Sequence, residues 1–174
     1  QSLKRWKQDL HTLINLQPEH ISLYSLTIEP DTPLQREVQN GTVVLPPENT
    51  DIAMYEWALQ FLHTHVYAQY EISSFSLNGK KCRHNLHYWK LDPYLGFGPS
   101  AHGYDGAIRS WNSPSLDTYI QNLNCGLLPV RGKETLSRVD QFNELIFNGL
   151  KLNEGISLDS LKDQYPKDKF NEYL

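Results

Sequence analysis

Sulfur is nearly missing from this chain, whose 174 residues include two cysteines, Cys82 and Cys125, and one methionine. Two thiols cannot build the framework of a disulfide-stapled secreted domain, so both read as free cysteines. Also missing are an apolar run of about twenty residues, which a membrane-spanning helix needs, and a stretch resembling a secretory signal. A cytoplasmic protein without a transmembrane segment is the resulting expectation. Excess basic charge is lacking as well. Lys and Arg number 16 against 20 Asp and Glu, a net charge of −4, whereas phosphate backbones call for clustered cations, so nucleic acid is not an expected partner. The short runs Lys4-Arg5 and Lys80-Lys81 with Arg83 read as solvated surface. Internal repeats and low-complexity segments are absent too.

What is present is ordinary globular material. Hydrophobic residues at 39% and aromatics at 11% are enough to bury a core in one domain, or one and a half. The chain opens on a helical pattern with no initiating Met and stops at Asn171-Glu172-Tyr173-Leu174 inside a charged amphipathic pattern without a stop signal. The expectation is an excised piece of a longer protein.

Leu3, Trp6, Leu10, Leu13 and Ile14 recur at helical spacing until Pro18. Residues 21–28 read as a strand buried on both faces, as in a parallel sheet. Glu29-Pro30-Asp31-Thr32-Pro33 is a turn-rich exit, and residues 34–45 read as a polar excursion turning at Asn40-Gly41. Pro46-Pro47 starts a second helix with Ile52, Tyr55, Leu59, Leu62 and Val66 as its buried stripe, followed by a strand over residues 67–73. Alternating helix and strand at this spacing predicts βα units of a parallel sheet or barrel. Beyond the Asn78-Gly79-Lys80-Lys81 turn, residues 84–90 read as a short helix, 94–102 as a Gly-rich extended segment and 108–111 as a short strand. Ser113-Pro114 caps a helix with Leu116, Tyr119, Ile120 and Leu123 facing inward. A domain boundary is expected between Gly126 and Lys133. From Thr135 the pattern is helical, with Ser137 as a cap, Val139, Phe142, Leu145 and Ile146 on one face, Gly149 closing, and a last helix from Ser157 carrying Leu158, Leu161 and Tyr165.

Chemistry concentrates between residues 84 and 103. His84-Asn85-Leu86-His87-Tyr88-Trp89 and Tyr94-Leu95-Gly96-Phe97-Gly98-Pro99-Ser100-Ala101-His102-Gly103 hold three of the seven histidines, and glycine lets backbone approach closely. Imidazoles beside large flat side chains suit a planar, metal-bearing ligand. His84 and His87 would share a helical face, and either could ligate haem iron. Cys82-x-His84-x-x-His87 makes a poor zinc site, because one short loop supplies three ligands and no fourth follows at usual spacing. Gly96-x-Gly98 lacks the Lys-Ser/Thr of a phosphate loop and the third glycine of a dinucleotide fingerprint. It reads instead as close approach to a ligand or as a tight strand crossing. No Ser-His-Asp order, nucleophile elbow or His-Glu-x-x-His pair is present. Glu29, at the carboxyl end of a predicted strand, is either a barrel-site residue or a solvated terminus. Glu71, inside an apolar strand, needs a partner such as Arg83 or a backbone amide.

Taken together these blocks resemble the radical S-adenosylmethionine (SAM) proteins of the oxygen-independent coproporphyrinogen III oxidase group, and within it the HemW-like haem-chaperone branch. The resemblance rests on 20–30 (HISLYSLTIEP) with Thr32-Pro33-Leu34, Met54-Tyr55-Glu56, Tyr70-Glu71-Ile72-Ser73-Ser74-Phe75, Arg83-His84-Asn85 with Tyr88-Trp89, and Tyr94-Leu95-Gly96-Phe97-Gly98 with Ala101-His102. It continues through Glu144 and Gly149-Leu150-Lys151-Leu152. Departures are Ser74 for a usual Asn, Ser100 for a common Gly and Lys151 for a usual Arg.

The resemblance implies an α/β fold: the second half of a partial (β/α)6 barrel over residues 1–126, then the start of a helical carboxyl-terminal domain over 127–174. It implies a [4Fe–4S] cluster and SAM in the parent protein, the cluster held by a C-x-x-x-C-x-x-C motif that this chain lacks. The chain alone is therefore expected to hold no cluster and to carry no catalytic residue. The complete His-Asn-x-x-Tyr-Trp run implies haem contact by His84, Asn85, Tyr88 and Trp89, with His84 as axial ligand and His87 at a variable position. Thr27, Glu29, Gly96, Gly98 and His102 would line the SAM pocket. Implied partners are haem or porphyrin and haem-accepting proteins, with room for a homodimer and for peripheral membrane contact by the parent. The competing implication is an enzyme that oxidatively decarboxylates coproporphyrinogen propionates to vinyl groups.

Overall fold

A computed structural model of the chain describes residues 2–165, so the amphipathic ending at Asn171 to Leu174 lies outside the described residues. The chain forms two compact units, divided between Cys82 and Arg83. The boundary expected between Gly126 and Lys133 falls inside the second unit.

In the first unit, α1 (Leu3–Asn15) starts where the Ser2 hydroxyl accepts from the Arg5 amide at 3.3 Å. It packs on α3 (Glu48–Thr64), and the Trp6 indole N–H donates to the Met54 carbonyl at 2.9 Å. The helices cover a small sheet of β1 (His20–Ser22), β2 (Ala68–Glu71) and β3 (Ser74–Ser76), ordered β1-β3-β2. Leu10, Ile21, Ala58, Phe61, Leu62, Tyr67 and Phe75 form its core.

Several expectations change here. The strand predicted over 21–28 ends at Ser22, and Tyr24 and Leu26 are exposed. The polar excursion holds a helix, α2 (Pro33–Gln39), capped by Thr32 and begun by proline, with Gly41 at φ +73° in the turn after it. The stripe of α3 is displaced: Met54, Ala58, Phe61 and Leu62 are buried, whereas Ile52 is exposed and Val66 lies beyond the helix at φ +64°. Pairing of every described strand is antiparallel. β1 and β2 do run in the same direction, but β3 folds back after Ile72-Ser73 and takes the place between them.

The second unit contains α4 (Arg83–Trp89) and an antiparallel sheet of β4 (His102–Tyr104), β5 (Ile108–Asn112) and β6 (Val130–Thr135), ordered β4-β5-β6. Between β5 and β6 lies α5 (Leu116–Asn124), capped by Ser115, one residue beyond the expected pair. Its face expected inward is exposed at Leu116, Ile120 and Leu123. Residues 130–135, which carry no helical or strand pattern of their own, pair with β5, and a Cβ at Gly132 would lie 2.4 Å from the Trp111 indole. This glycine lets the indole lie flat on the neighbouring strand. α6 (Arg138–Gly149) begins at the expected Ser137, which forms a reciprocal capping box with Asp140. Phe142 of α6 packs with Leu161 and Tyr165 around α7 (Leu158–Gln164), while Val139 and Leu158 are exposed.

Candidate functional site

The second unit gathers the aromatic residues of the 84–103 stretch around one cleft. α4 ends when Leu91 adopts φ +56° and the Asp92 amide donates back to the His87 carbonyl at 2.9 Å. His87 Nδ1 lies 2.8 Å from the Asp92 carboxylate, which occupies that imidazole. Tyr94 then pairs with Tyr104 through both backbone hydrogen bonds, 2.8 and 2.9 Å, so the Gly-rich segment leaves and returns at one point. The result is a cleft of about 400 Å³ lined by Tyr88 and Trp89 of α4, Tyr94, His102 and Tyr104, and Arg109 with Glu134. Its size and aromatic lining are those of a small-molecule site.

The four residues expected to contact haem are placed unequally. Tyr88 and Trp89 line the cleft. His84 stands one turn away with its ring edge-on to Tyr88 at 4.8 Å, exposed and without a hydrogen-bond partner among the described residues. Asn85 is half-buried beside them on α4. Tyr88 in turn meets Tyr94 edge-on at 4.6 Å, an arrangement that aromatic quadrupoles favour. One buried side-chain polar atom is left unsatisfied among the described residues, the Trp89 indole N–H. Such a group calls for a ligand acceptor or a water.

Of the residues expected at SAM, Gly96, Gly98 and His102 belong to this unit, and His102 joins Tyr88 and Trp89 in the cleft. The close approach that Gly96 permits is to the chain itself: a Cβ there would lie 2.1 Å from the His102 carbonyl oxygen. Gly98 adopts φ +104°, and the Asn112 amide donates to the Gly96 and Gly98 carbonyls at 3.2 and 3.0 Å. The segment is thus the tight strand crossing among the alternatives offered by its spacing. Thr27 and Glu29 belong to the first unit and are exposed in irregular backbone, where the Glu29 carbonyl accepts from the Thr32 hydroxyl at 2.8 Å. Glu71 is buried, and its carboxylate accepts from the Ser73 amide at 3.2 Å, the structural role left open for it.

The charged wall of the cleft was not apparent from spacing. Arg109 donates to Glu134, its cross-strand partner, at 3.0 Å and to Glu144 of α6 at 2.7 Å. The hydrogen bond to Glu144 strengthens the hold on the Arg109 proton, and burial pushes the Tyr94 and Tyr104 hydroxyls above their ordinary range. Only the pairing of β5 with β6 reveals the Arg109–Glu134 contact, and residues 130–135 carry no strand pattern of their own. No group of three or more His, Cys, Asp or Glu able to hold a metal exists among the described residues. Cys82 and Cys125 lie in different units and cannot supply three thiolates, so these residues do not fit an iron–sulfur cluster.

No protein-family model matches the chain. It is 35% identical to the haem chaperone HemW of Bacillus subtilis over 95% of its own length and 44% of that protein. It is 36% identical to HemW of Mycobacterium tuberculosis over 80% of this chain and 36% of that one. It is 40% identical to mouse mitochondrial radical S-adenosyl methionine domain-containing protein 1, over 90% and 37% respectively. The structure of Escherichia coli coproporphyrinogen III oxidase HemN, a radical SAM enzyme, superposes with a TM-score of 0.80 at 16% identity, covering 99% of this chain and 42% of that one. That likeness establishes the fold: this chain has the α/β architecture of part of a radical SAM protein, whatever the local strand directions. The chain spans less than half the length of these relatives. By these identities the chain belongs, over the part of the relatives that it spans, with the HemW-like radical SAM proteins.

Proposed function

We propose that the protein binds haem and passes it to acceptor proteins, and that α4 carries the haem contacts. The observation that carries this reading is the placement of Tyr88 and Trp89, adjacent residues of the His-Asn-x-x-Tyr-Trp run, on the wall of an aromatic cleft. A porphyrin offers the flat apolar faces that such rings pack against. His84 is the axial ligand, since its imidazole is exposed and unpartnered among the described residues, while His87 is held by Asp92. Asn85 stands half-buried on the same helix. The names of the relatives support the chaperone role, and family membership alone supports SAM contact by Thr27, Glu29, Gly96, Gly98 and His102 and a [4Fe–4S] cluster held elsewhere in the protein.

Haem, when bound, supplies the iron and the planar macrocycle; the chain's part is to ligate, flank and release it. Titration of haem into the protein, followed at the Soret band, tests the assignment. His84→Ala should shift the band and weaken binding at least tenfold, about the factor for 1.4 kcal/mol. An unchanged band and affinity would remove His84 from the role. Robust anaerobic conversion of coproporphyrinogen to protoporphyrinogen, with reductant and SAM, would replace the chaperone reading with the enzymatic one.

A further inference from the structure

Arg109, which lines the cleft, and Lys151, which lies over the Trp89 ring of its lining, hold their charges in different states. Arg109, on the sheet wall, is committed: one half-buried guanidinium donates to both Glu134 and Glu144, leaving that wall with a net negative charge. Lys151, which follows α6, is uncommitted. Its ammonium lies 4.7 Å from the centre of the Trp89 ring and 4.0 Å from that of Phe147, with no carboxylate partner among the described residues. Cation–π contact holds such a group in place but leaves its three N–H donors open. The ring beneath it is also the one whose buried indole N–H lacks an acceptor. Two unsatisfied donors, one of them charged, therefore belong to or lie over a single ring of the cleft lining, and a carboxylate is a group that accepts from either.

We propose that Trp89 Nε1 and Lys151 Nζ receive a carboxylate of the cleft's ligand, and that the Arg109–Glu134–Glu144 wall turns carboxylates away. This rests on the cleft being the haem site. It adds a direction to that reading: the acidic edge of the macrocycle faces α4 and the end of α6, and its apolar edge faces the sheet.

Haemin and haemin dimethyl ester, whose carboxylates are masked, separate the two claims when titrated into the intact protein. The wild type should bind haemin about tenfold more tightly than the ester, the factor for one modest charge-assisted contact. Lys151→Met, which keeps the aliphatic stem on both rings, should weaken haemin to the level of the ester and leave the ester unchanged. Lys151→Arg should restore the preference, which guards against a trivial loss of packing. Equal binding of the two porphyrins by the wild type would overturn the inference while leaving the haem reading intact. So would a preference that survives Lys151→Met but disappears in Arg109→Gln, which would place the carboxylate at the sheet wall. Failure of both porphyrins to bind would overturn the haem reading and the inference with it.

Discussion

Single residues in the Gly-rich crossing decide whether the cleft can form. At Gly96 any side chain meets backbone, 2.1 Å from the His102 carbonyl oxygen, and backbone on both sides cannot yield cheaply. Gly96→Ala should therefore cost on the order of 3 kcal/mol in chemical denaturation, at the top of the range for overpacking. Gly103→Ala, whose nearest contact is 3.4 Å, should cost less. Ser100 gives the opposite case. It adopts φ +59°, a conformation that a Cβ disfavours. Ser100→Gly should raise stability by roughly 0.5–1 kcal/mol, the relief of left-handed strain less the added entropy of glycine. A loss of stability in that variant would mean that the serine hydroxyl contributes more than its backbone costs.

At the scale of elements, caps and short apolar patterns were legible in the sequence, while long-range pairing was not. Ser137 is a cap and Arg83–Trp89 a helix for local reasons: a hydroxyl followed three residues later by a carboxylate, and a run of helix-compatible residues between turns. β3 is not legible in the sequence, because its return depends on a two-residue reversal after Glu71 and on Phe75 meeting Ile21, a contact distant in sequence. The face of α5 illustrates the limit of periodicity, which marks the apolar side of a helix but not whether anything covers it. The same limit applied at the site. The His-Asn-x-x-Tyr-Trp run is contiguous and could be read directly, whereas Tyr104, Arg109, Glu134 and Asn148 reach the cleft from separate elements. The capping box of α6 also carries a pH dependence. The Ser137 hydroxyl, then its amide, hold the Asp140 carboxyl below the ordinary carboxylate range. A lowered folded-state pKa means that the unfolded chain binds protons first, so this contribution is full above about pH 4 and disappears as pH falls through the lowered value. Denaturation midpoints measured between pH 7 and pH 3 should fall less steeply for Asp140→Asn than for the wild type. Ser137→Ala should cost about 1 kcal/mol at pH 7.

On the scale of the whole molecule, the chain presents two compact units, and α4 and its cleft belong entirely to the second. None of the described helices is long and apolar enough to cross a membrane. The two cysteines lie in different units and do not fit an iron–sulfur cluster, and the role proposed for α4 is ligand contact. That division makes the central claim a geometric one, and a structure of the protein with haem bound tests it most directly. The account predicts iron ligated by the His84 imidazole, with the macrocycle packed against Tyr88 and Trp89. Iron ligated by another residue, with the porphyrin away from α4, would contradict it.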